Sequence, residues 1–534
     1  MSDAPAVPVS APSLDALDRA VAAQDWAAAT DAVRAGWFEL VTPEVRDRTH
    51  ALLDRVPAAA MRREPLLAME FGILLNQTRF QRLRALRYFV MAVRAARSSR
   101  STDLRLADRF LIRASESAAL RLLGRTGLSV SAARGAMELA HALDDDDRAE
   151  ITELPRIFAV LGMSFHYGGH PDEAVHAAEL GLAEASPTPP SSGMSPLALL
   201  CGVHTLRGDL PTAREHLEYA RSGPWTDRQR NGYSGVFYRV AEAIVALERF
   251  DPDAAREQIE QLWAMTVGRH SNEHWTTIVE TQALIEIMAG HPGRGLAVID
   301  DMVALRGGEG SQRARARLAR IRSLLQLALG NPDGASAVLA RDAPEAVTAH
   351  IERARIALSL GQTGTALSEL RAVDALHPST RQTAEAAAID AAVLLRLSPT
   401  PRRDGVVQRL GSLLDRSGQR LALALLPPSD LDRVVAALEE GGFVHVVEDV
   451  PIRSLLRDVE PGGLLSRREL AVLEQLQRTG SIAEIAAVLV VSSNTVKSQI
   501  RSIYRKLGVS SREDAIAVTI ELHLLAAAVE DAAG

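Results

Sequence analysis

A turn followed by an amphipathic segment recurs along most of this chain at a spacing near 40 residues. Six copies share a small or polar turn, then Ala or Gly at a fixed offset, then an apolar run. They begin at Gly169 (GHPDEAVHAAEL), Gly208 (GDLPTAREHLEYA), Arg249 (RFDPDAAREQIEQL), Gly290 (GHPGRGLAVIDDM), Gly330 (GNPDGASAVLA) and Gly361 (GQTGTALSELRAV). Successive copies start 39, 41, 41, 40 and 31 residues apart, which suits two antiparallel helices with their loops.

The turn residues predict how each unit folds. Gly ends one helix in a left-handed conformation, and Pro or Asp opens the next helix at its first turn. Such hairpins cannot bury their apolar faces alone, so they stack into a superhelix with a concave surface. A weaker copy around Trp26 (QDWAAATDAVRAGW) places the start near residue 14. We therefore predict a disordered leader over 1–13 and a helical repeat region over 14–415.

Composition predicts an all-α chain and limits its location. Ala, Leu, Arg and Glu dominate, while aromatic residues make up 4%. No stretch of about 18 apolar residues lacks a charge, so no membrane partner is expected. The leader has no basic segment typical of a secretion signal. The single cysteine, Cys201, excludes an intrachain disulfide and a cysteine-cluster metal site, which favours a cytoplasmic protein.

The sequence pattern changes between Arg420 and Val450. The segments LALALL and FVHVVEDV flank an amphipathic helix, and this arrangement predicts two strands around that helix. Buried helices produce the same apolar runs, so a helical reading stays open. We assign residues 416–463 to a connecting segment, with a small α/β unit as one reading and a Pro-Gly-Gly linker at its end. A separate domain follows over 464–526.

The last 70 residues predict four short helices. Two S-x-x-E patterns, Ser466–Glu469 and Ser481–Glu484, are typical of a helix start because side chain and backbone cap each other there. Only Val490–Ser492 separates the second and third helices, which is the short connection of a helix-turn-helix. The predicted helices cover residues 466–478, 481–489, 493–507 and 511–523.

The third of these helices has an apolar face and a basic face. The apolar face contains Val496, Ile500, Ile503 and Leu507. The basic face contains Lys497, Arg501 and Arg505, and no acid occurs from 495 to 507. A helix fits the major groove of B-form DNA, where cations meet phosphates and guanine edges. A solvated basic face with no ligand is the alternative, and it leaves the caps and the short turn unexplained.

Charge is distributed unevenly along the chain. The net charge is −7, yet residues 464–522 carry eight basic and six acidic side chains, so the remainder carries −9. Arg replaces Lys almost everywhere, and the two lysines are Lys497 and Lys506. Neither lysine follows the glycine of a phosphate-binding loop, which excludes a Walker-type NTPase.

The C-terminal segment resembles the LuxR/NarL family of regulators. The resemblance rests on LSRREL-AVL, EIA and VSSNTVKSQIRSIYRKLGVSSREDA, and it covers about Leu465–Leu525. It implies a helix-turn-helix in which Lys497, Ser498 and Arg501 read base edges. It also implies phosphate contacts by the residues before and after them on the same helix, namely Ser492, Asn494, Thr495, Arg505 and Lys506. Gln499 stands where the family often has His, so its contact with base or phosphate is left open.

The same resemblance implies dimerisation through the fourth helix. The repeat body resembles the tetratricopeptide-type region of large ATP-binding LuxR regulators, although their nucleotide switch domain is not found in this sequence. The expected fold is a helical-hairpin repeat superhelix followed by a four-helix LuxR-type helix-turn-helix domain.

Several residues outside the C-terminal segment match known kinds of site, but the sequence does not favour a catalytic or metal site at any of them. His270-Ser-Asn-Glu273-His274 matches an inverted zinc-protease motif, but Gly268 interrupts the helix and a third ligand is missing. Cys201 lies in an apolar run and is expected in the core. Three tryptophans are expected to pack between helices, with a groove lining as the alternative: Trp225, Trp263 and Trp275.

The sequence thus predicts a sequence-specific DNA-binding transcription regulator, expected to be an activator. It is expected to be a homodimer on double-stranded DNA, without a cofactor, a metal or enzymatic activity. The repeats are expected to bind an effector or a protein, RNA polymerase being one candidate partner of the chain. The alternative is a repeat scaffold whose terminal domain binds protein such as RNA polymerase rather than reading DNA.

Overall fold

The structure of this chain is a computed structural model. It describes residues 12–76, 81–98, 104–185, 193–266, 274–306, 312–342, 346–397, 401–457, 467–507, 509 and 511–521. These residues form α-helices, one 3-10 turn and connecting loops, and none of them lies in a strand. The prediction of an all-α chain is confirmed. None of the described helices combines the length and the apolar composition that crossing a bilayer requires.

The chain divides into two compact units. The first comprises Met1–Ala289, Ser379–Arg381 and Leu413–Gln419, and the second comprises Gly290–Pro378, Gln382–Ser412 and Arg420–Gly534. Helices up to residue 289 are α1 (Pro12–Ala23), α2 (Trp26–Ala35), α3 (Arg46–Asp54), α4 (Ala58–Arg63), α5 (Pro65–Asn76), α6 (Arg82–Arg97), α7 (Leu106–Leu122), α8 (Thr126–Ala142), α9 (Asp145–Glu150), α10 (Leu154–Gly168), α11 (Pro171–Ala183), α12 (Met194–Arg207), α13 (Leu210–Ser222), α14 (Asp227–Asn231), α15 (Val236–Glu248), α16 (Pro252–Thr266) and α17 (Trp275–Met288). The 3-10 turn is Tyr233–Gly235.

The remaining helices follow Gly290. They are α18 (Pro292–Arg306), α19 (Gln312–Ala328), α20 (Pro332–Asp342), α21 (Val347–Ser359), α22 (Thr363–Asp374), α23 (Thr380–Arg396), α24 (Pro401–Ser417), α25 (Leu421–Ala424), α26 (Pro428–Glu440), α27 (Val444–Glu448), α28 (Arg467–Arg478), α29 (Ile482–Val488), α30 (Ser493–Leu507) and α31 (Arg512–Glu521). Only the first residues of α23 and the last residues of α24 belong to the first unit.

Consecutive helices pack as antiparallel hairpins, as the repeat predicts. In the first unit α7 packs on α8, α10 on α11, α12 on α13, and α15 on α16. In the second unit α19 packs on α20, and α21 on α22. Each hairpin also packs against the next, as α10 does against α12, because a single hairpin leaves one apolar face uncovered.

A left-handed residue ends the first helix of each repeat hairpin. The glycine prediction is confirmed at five positions, where φ lies between +74° and +88°: Gly169, Gly208, Gly290, Gly330 and Gly361. In several turns the amide after this residue donates to a carbonyl five residues back, at 2.8–3.0 Å. His170, Asp209, Asn331 and Gln362 are such donors. This bond satisfies a carbonyl that the helix end leaves free.

The copy assigned to Arg249 was placed one residue too early. The left-handed residue there is Phe250, with φ of 60°, and the amide of Asp251 donates to the Ala246 carbonyl at 3.0 Å. Gln24 has φ of 56° in the weak first copy, so the turn between α1 and α2 has the same left-handed geometry. The turn geometry is therefore retained even where an L side chain makes it less favourable.

The prediction of two strands between residues 420 and 450 is wrong, and the helical alternative applies. LALALL forms α25 and a short turn, and FVHVVEDV forms α27 after the left-handed Gly442. Leu421 through Leu426 are all buried, so the run contains no exposed polar positions. Without such positions the sequence shows neither the period of a helix nor that of a strand. Phe443 packs against Gly411, where an added Cβ would lie 2.3 Å from the ring.

Glu70 is the least favourable charge in the described interior. It lies on α5 with 0% exposure, and neither carboxylate oxygen has a hydrogen-bond partner among the described residues. Burial raises the pKa of the Glu70 carboxyl well above its usual range. The unfolded chain loses this proton near the ordinary pKa, while the folded chain retains it. Stability therefore falls as pH rises through the interval between the two pKa values.

We predict that Glu70→Gln raises the stability of the first unit at pH 8 and has little effect near pH 4.5. The gain should reach about 1.4 kcal/mol for each unit by which folding raises the pKa. All five tryptophans lie within Met1–Ala289, so urea unfolding followed by tryptophan fluorescence measures this unit. The exposed Glu138, on α8, provides the control Glu138→Gln. Equal pH profiles for wild type and Glu70→Gln would contradict the prediction.

The short turn between α29 and α30 uses the same left-handed geometry with valine. Val490 has φ of 53° and a side chain that is 89% exposed, and the amide of Val491 donates to the Ala486 carbonyl at 3.0 Å. A left-handed conformation costs an L residue about 1–2 kcal/mol, while the extra freedom of glycine in the unfolded chain costs about 0.5–1 kcal/mol. Valine is thus the less favourable choice here.

We predict that Val490→Gly stabilises α29 and α30 by about 0.5–1 kcal/mol. Slower amide hydrogen exchange in these helices of the full chain would show it. The control is Val488→Gly, because Val488 is also exposed but ends α29 in a right-handed conformation. There, glycine should speed exchange. Faster exchange in both variants would show that the left-handed strain is not relieved.

Candidate nucleic-acid interface

Helices α28 to α31 enclose a small apolar core. The buried side chains are Val472, Leu473, Leu476, Ile485, Ala486, Val496, Ile503 and Ala515. Arg512 links the two outer helices, because its Nε donates to the Leu476 carbonyl at 2.7 Å. The four helices begin and end within two residues of the predicted bounds over the described segments. Ser466, the predicted first cap, lies outside the described residues.

The start of α29 is fixed by a modified capping box. The Ser481 hydroxyl accepts from the Glu484 amide at 3.3 Å, as the S-x-x-E pattern predicts. The Glu484 carboxylate accepts from the Thr479 hydroxyl at 2.6 Å, and Thr479 Oγ1 accepts from the Ser481 amide at 3.1 Å. The reciprocal half of the box therefore passes through Thr479, which adds one more hydrogen bond at this helix start.

Ser492 caps α30. Its Oγ accepts from the Thr495 amide at 3.1 Å, and the two hydroxyl oxygens lie 2.7 Å apart. Since the left-handed Val490 comes only two residues earlier, just four residues, 489–492, separate the end of α29 from the start of α30. This places the N-terminal turn of α30 at the surface with its first amides facing outward.

The two faces of α30 differ in burial as the sequence predicts. Val496 and Ile503 are fully buried, and Ile500 and Tyr504 pack partly against the same core. Burial raises the pKa of the Tyr504 phenol, and the nearby Glu513 carboxylate raises it further. On the opposite side Lys497 and Arg501 are exposed, four residues apart on one stripe.

The two cations whose side chains are described on α30 have no acidic partner among the described residues. Lys497 and Arg501 form no salt bridge and no side-chain hydrogen bond with any of them. Long basic side chains without acidic partners keep their full charge for an external anion. The stripe therefore suits a polyanion whose charges repeat along a groove.

The structure brings most of the predicted contact residues together on one surface. Exposed side chains belong to Ser492, Asn494, Thr495, Lys497, Ser498 and Arg501, and Gln499 is half-buried. Ser498 is not free to donate, because its hydroxyl donates to the Thr495 carbonyl at 2.8 Å. The side chains of Arg505 and Lys506 lie outside the described residues. No contact with nucleic acid is part of the structure.

An apolar feature beside this surface is missed by the sequence analysis. Val488, Val490 and Val491 are 60%, 89% and 39% exposed at the turn between α29 and α30. The run Ala-Val-Leu-Val-Val contains more apolar residues than one helical face can bury. This excess in the sequence indicates that some of these side chains are exposed. These valines border the start of α30.

The other residues weighed from sequence are placed in the interior. Cys201 is fully buried, and burial raises the pKa of its thiol far above the usual value. Trp225 and Trp275 are buried, and Trp263 donates from Nε1 to Gln282 at 2.9 Å.

His274, of the histidine motif, is 1% exposed and its Nδ1 lies 2.7 Å from the Tyr167 hydroxyl. His270 and Glu273 lie outside the described residues. Within the described residues, no three groups of metal-ligand type are gathered in a geometry that suits an ion.

Comparison with known proteins agrees with this geometry. Residues 463–519 match the GerE domain, described as bacterial regulatory proteins of the luxR family. The chain is 36% identical over 135 residues to the nitrate/nitrite response regulator protein NarP of Escherichia coli, which is 22% of this chain and 61% of that protein. It is 42% identical over 113 residues to the probable transcriptional regulatory protein NarL of Mycobacterium tuberculosis, or 21% of this chain and 49% of that protein.

These relatives correspond to only part of the chain, and the chain spans about half to three fifths of their length. A solved structure of Naa15/Naa10 bound to HypK-THB is similar over 96% of this chain and 90% of that one. Its identity is 12% and its TM-score is 0.22, which carries no argument about fold or function. Residues 463–519 therefore match the helix-turn-helix domain of the luxR family of bacterial regulatory proteins, and a body of packed α-helices precedes them in the chain.

Proposed function

We propose that this chain is a sequence-specific DNA-binding transcription regulator that inserts α30 into the major groove. The observation that carries the proposal is the exposed stripe formed by Lys497 and Arg501 on α30, which have no ion pair among the described residues and lie opposite a face that packs into the core. A rigid helix with one basic face matches the width and the charge of the groove. Cations on the rest of the bundle do not form a comparable helical stripe in the sequence.

Each residue has a proposed role. Lys497, Ser498 and Arg501 read base edges, since they follow the first turn of the helix. Gln499 lies beside them, half-buried, with an amide that both donates and accepts. Phosphate contacts fix the register of the helix on DNA. We assign these contacts to Ser492, Asn494, Thr495, Arg505 and Lys506.

The repeat body is proposed to control the DNA-binding domain. Its hairpins over residues 14–415 provide surface for an effector or a protein, and residues 464–526 provide the output. We further propose an activator that contacts RNA polymerase and binds DNA as a homodimer through α31. Support comes from NarP, which is named a response regulator, and from the shared luxR-family domain.

Removing the cationic stripe should abolish specific binding. We predict that Lys497→Ala/Arg501→Ala weakens binding to a duplex selected by the full chain from random sequence. Each base-reading interaction contributes about 1–3 kcal/mol, so the double variant should bind roughly 30- to 25,000-fold more weakly. The salt dependence of binding should also become shallower, because two positive charges are removed from the surface that displaces counterions from DNA. Fluorescence anisotropy at several salt concentrations measures both.

The matched control removes two charges elsewhere. Arg294 and Arg371 are exposed on α18 and α22 and form no ion pair among the described residues. Arg294→Ala/Arg371→Ala changes the net charge equally and should bind the duplex like wild type. Wild-type affinity of Lys497→Ala/Arg501→Ala would disprove the proposal. Equal weakening in both double variants would show that binding depends on the net charge of the chain and not on the stripe on α30.

Ser492 allows its capping and contact roles to be separated. Ser492→Asp keeps an oxygen acceptor for the Thr495 amide and should preserve the stability of α30. It also places a negative charge next to the proposed phosphate, so affinity for DNA should fall at least tenfold. Ser492→Asn retains the cap without the charge and should bind within about threefold of wild type. Amide exchange in α30 and anisotropy, measured on the same samples, distinguish unfolding from repulsion. Undiminished binding by Ser492→Asp would remove Ser492 from the interface.

A second function is favoured by the exposed valines. In this alternative the terminal domain binds a protein such as RNA polymerase through Val488, Val490 and Val491, and does not read DNA. Apolar contacts weaken little with salt, whereas DNA binding weakens steeply because counterions are released. Retention of a polymerase complex, with no duplex bound at low salt, would favour this alternative.

A further inference from the structure

A polar cleft opens in the first unit, remote in sequence from the helix-turn-helix. Its volume is about 240 Å³, large enough for a small ligand. The turn between α12 and α13 forms one wall, and the beginning of α23 with the end of α24 forms the other. The lining residues are His204, Arg207, Gly208, Asp209, Thr380, Leu413, Arg416 and Ser417. All of them belong to the first unit.

Cations outnumber acids at this cleft. Arg416 is exposed and has no ion pair among the described residues. Arg207 pairs at 2.8 Å with Asp172, whose side chain is 86% exposed. The lining acid, Asp209, lies 3.1 Å from His204 Nδ1. Exposed ion pairs contribute little, so a buried anion can compete for Arg207.

Behind the lining, polar groups are left without partners. Ser417 lines the cleft at 5% exposure, and its Oγ has no hydrogen-bond partner among the described residues. Gln419 is fully buried, and within the same described part of the chain neither its amide oxygen nor its amide nitrogen has a partner. Burying a polar group without a hydrogen bond is unfavourable, and native proteins rarely leave such groups unsatisfied. These orphaned groups indicate that a polar ligand completes the site.

The start of a helix lies at the same cleft. Thr380 lines the cleft and is the first residue of α23, which is 17 residues long. The dipole of such a helix favours a negative charge near its start. The guanidinium groups of Arg207 and Arg416 and the hydroxyl of Ser417 line the same small volume and can donate to one ligand.

We propose that this cleft binds a phosphate group, either free or carried by a small metabolite. Arg416 and Arg207 bind the phosphate oxygens with charge-assisted hydrogen bonds. The Ser417 hydroxyl donates to the same oxygens, and the dipole of α23 adds a favourable field at its start. Gly208 is required at the rim, because φ is +88° and an added Cβ would lie 2.7 Å from both the Gln419 Nε2 and the Arg381 amide nitrogen.

Isothermal titration calorimetry of the full chain tests the site without DNA, so its outcome is independent of the proposed function. The probes are inorganic phosphate and glycerol 3-phosphate, with acetate at equal ionic strength as the control anion. We expect one phosphate site per chain, and Arg416→Gln should weaken it about 10- to 100-fold. Arg371→Gln, an exposed arginine remote in sequence, should bind like wild type. Tighter binding of the ester would identify a phosphorylated metabolite, and tighter binding of phosphate would identify the free anion.

Two alanine variants at equivalent turns provide a steric test. Gly208→Ala and Gly169→Ala carry similar left-handed strain, but only at Gly208 does the added Cβ meet neighbouring atoms. Phosphate binding should be abolished in Gly208→Ala alone. Because Gly208→Ala also risks misfolding, Ser417→Ala is the second variant, and it should weaken binding at least fivefold. Equal heats for phosphate and acetate, or unchanged affinity in Arg416→Gln and Ser417→Ala, would overturn the proposal.

Discussion

A left-handed residue whose following amide donates back to the preceding helix sets the geometry of both parts of this chain. In the repeat body this left-handed residue is, for example, Gly169 or Gly330. It ends the first helix of a hairpin, and Pro then starts the second helix. The same hydrogen bond around Val490 closes a turn that leaves only four residues, 489–492, between α29 and α30. Without this turn the hairpins lose their pairing, and α30 loses the exposed start that its proposed role requires.

Charge is used differently in the two regions. In the repeat body many arginines pair with acids, and even the buried Arg355 lies 2.8 Å from Glu385. On α30 the exposed cations have no such partners among the described residues. Exposed arginines without an ion pair among the described residues also occur in the repeat body, as at Arg294 and Arg371. What distinguishes α30 is that Lys497 and Arg501 lie four residues apart on one stripe, where their charges add up against a polyanion.

Local signals predicted much of the fold and of the candidate interface. Glycine before Pro or Asp identified most turns, since few other residues adopt that conformation readily. The two faces of α30 followed from a 3.6-residue period. Phe250 and Val490 were not recognised because L residues seldom adopt the left-handed conformation, so neither residue type indicates such a turn. The helices near residue 421 were ambiguous because burial removes periodicity. The cleft joins Gly208 to Ser417, and no sequence pattern relates residues so far apart.

The central claim is that the basic face of α30 is the surface that meets DNA. Amide hydrogen exchange of the full chain, with and without a duplex selected from random sequence, tests it most directly. We expect protection on binding to be strongest over residues 493–501, with little change in α16 or α21. DNA binding that leaves exchange over 493–501 unchanged while protecting the repeat helices would contradict this account.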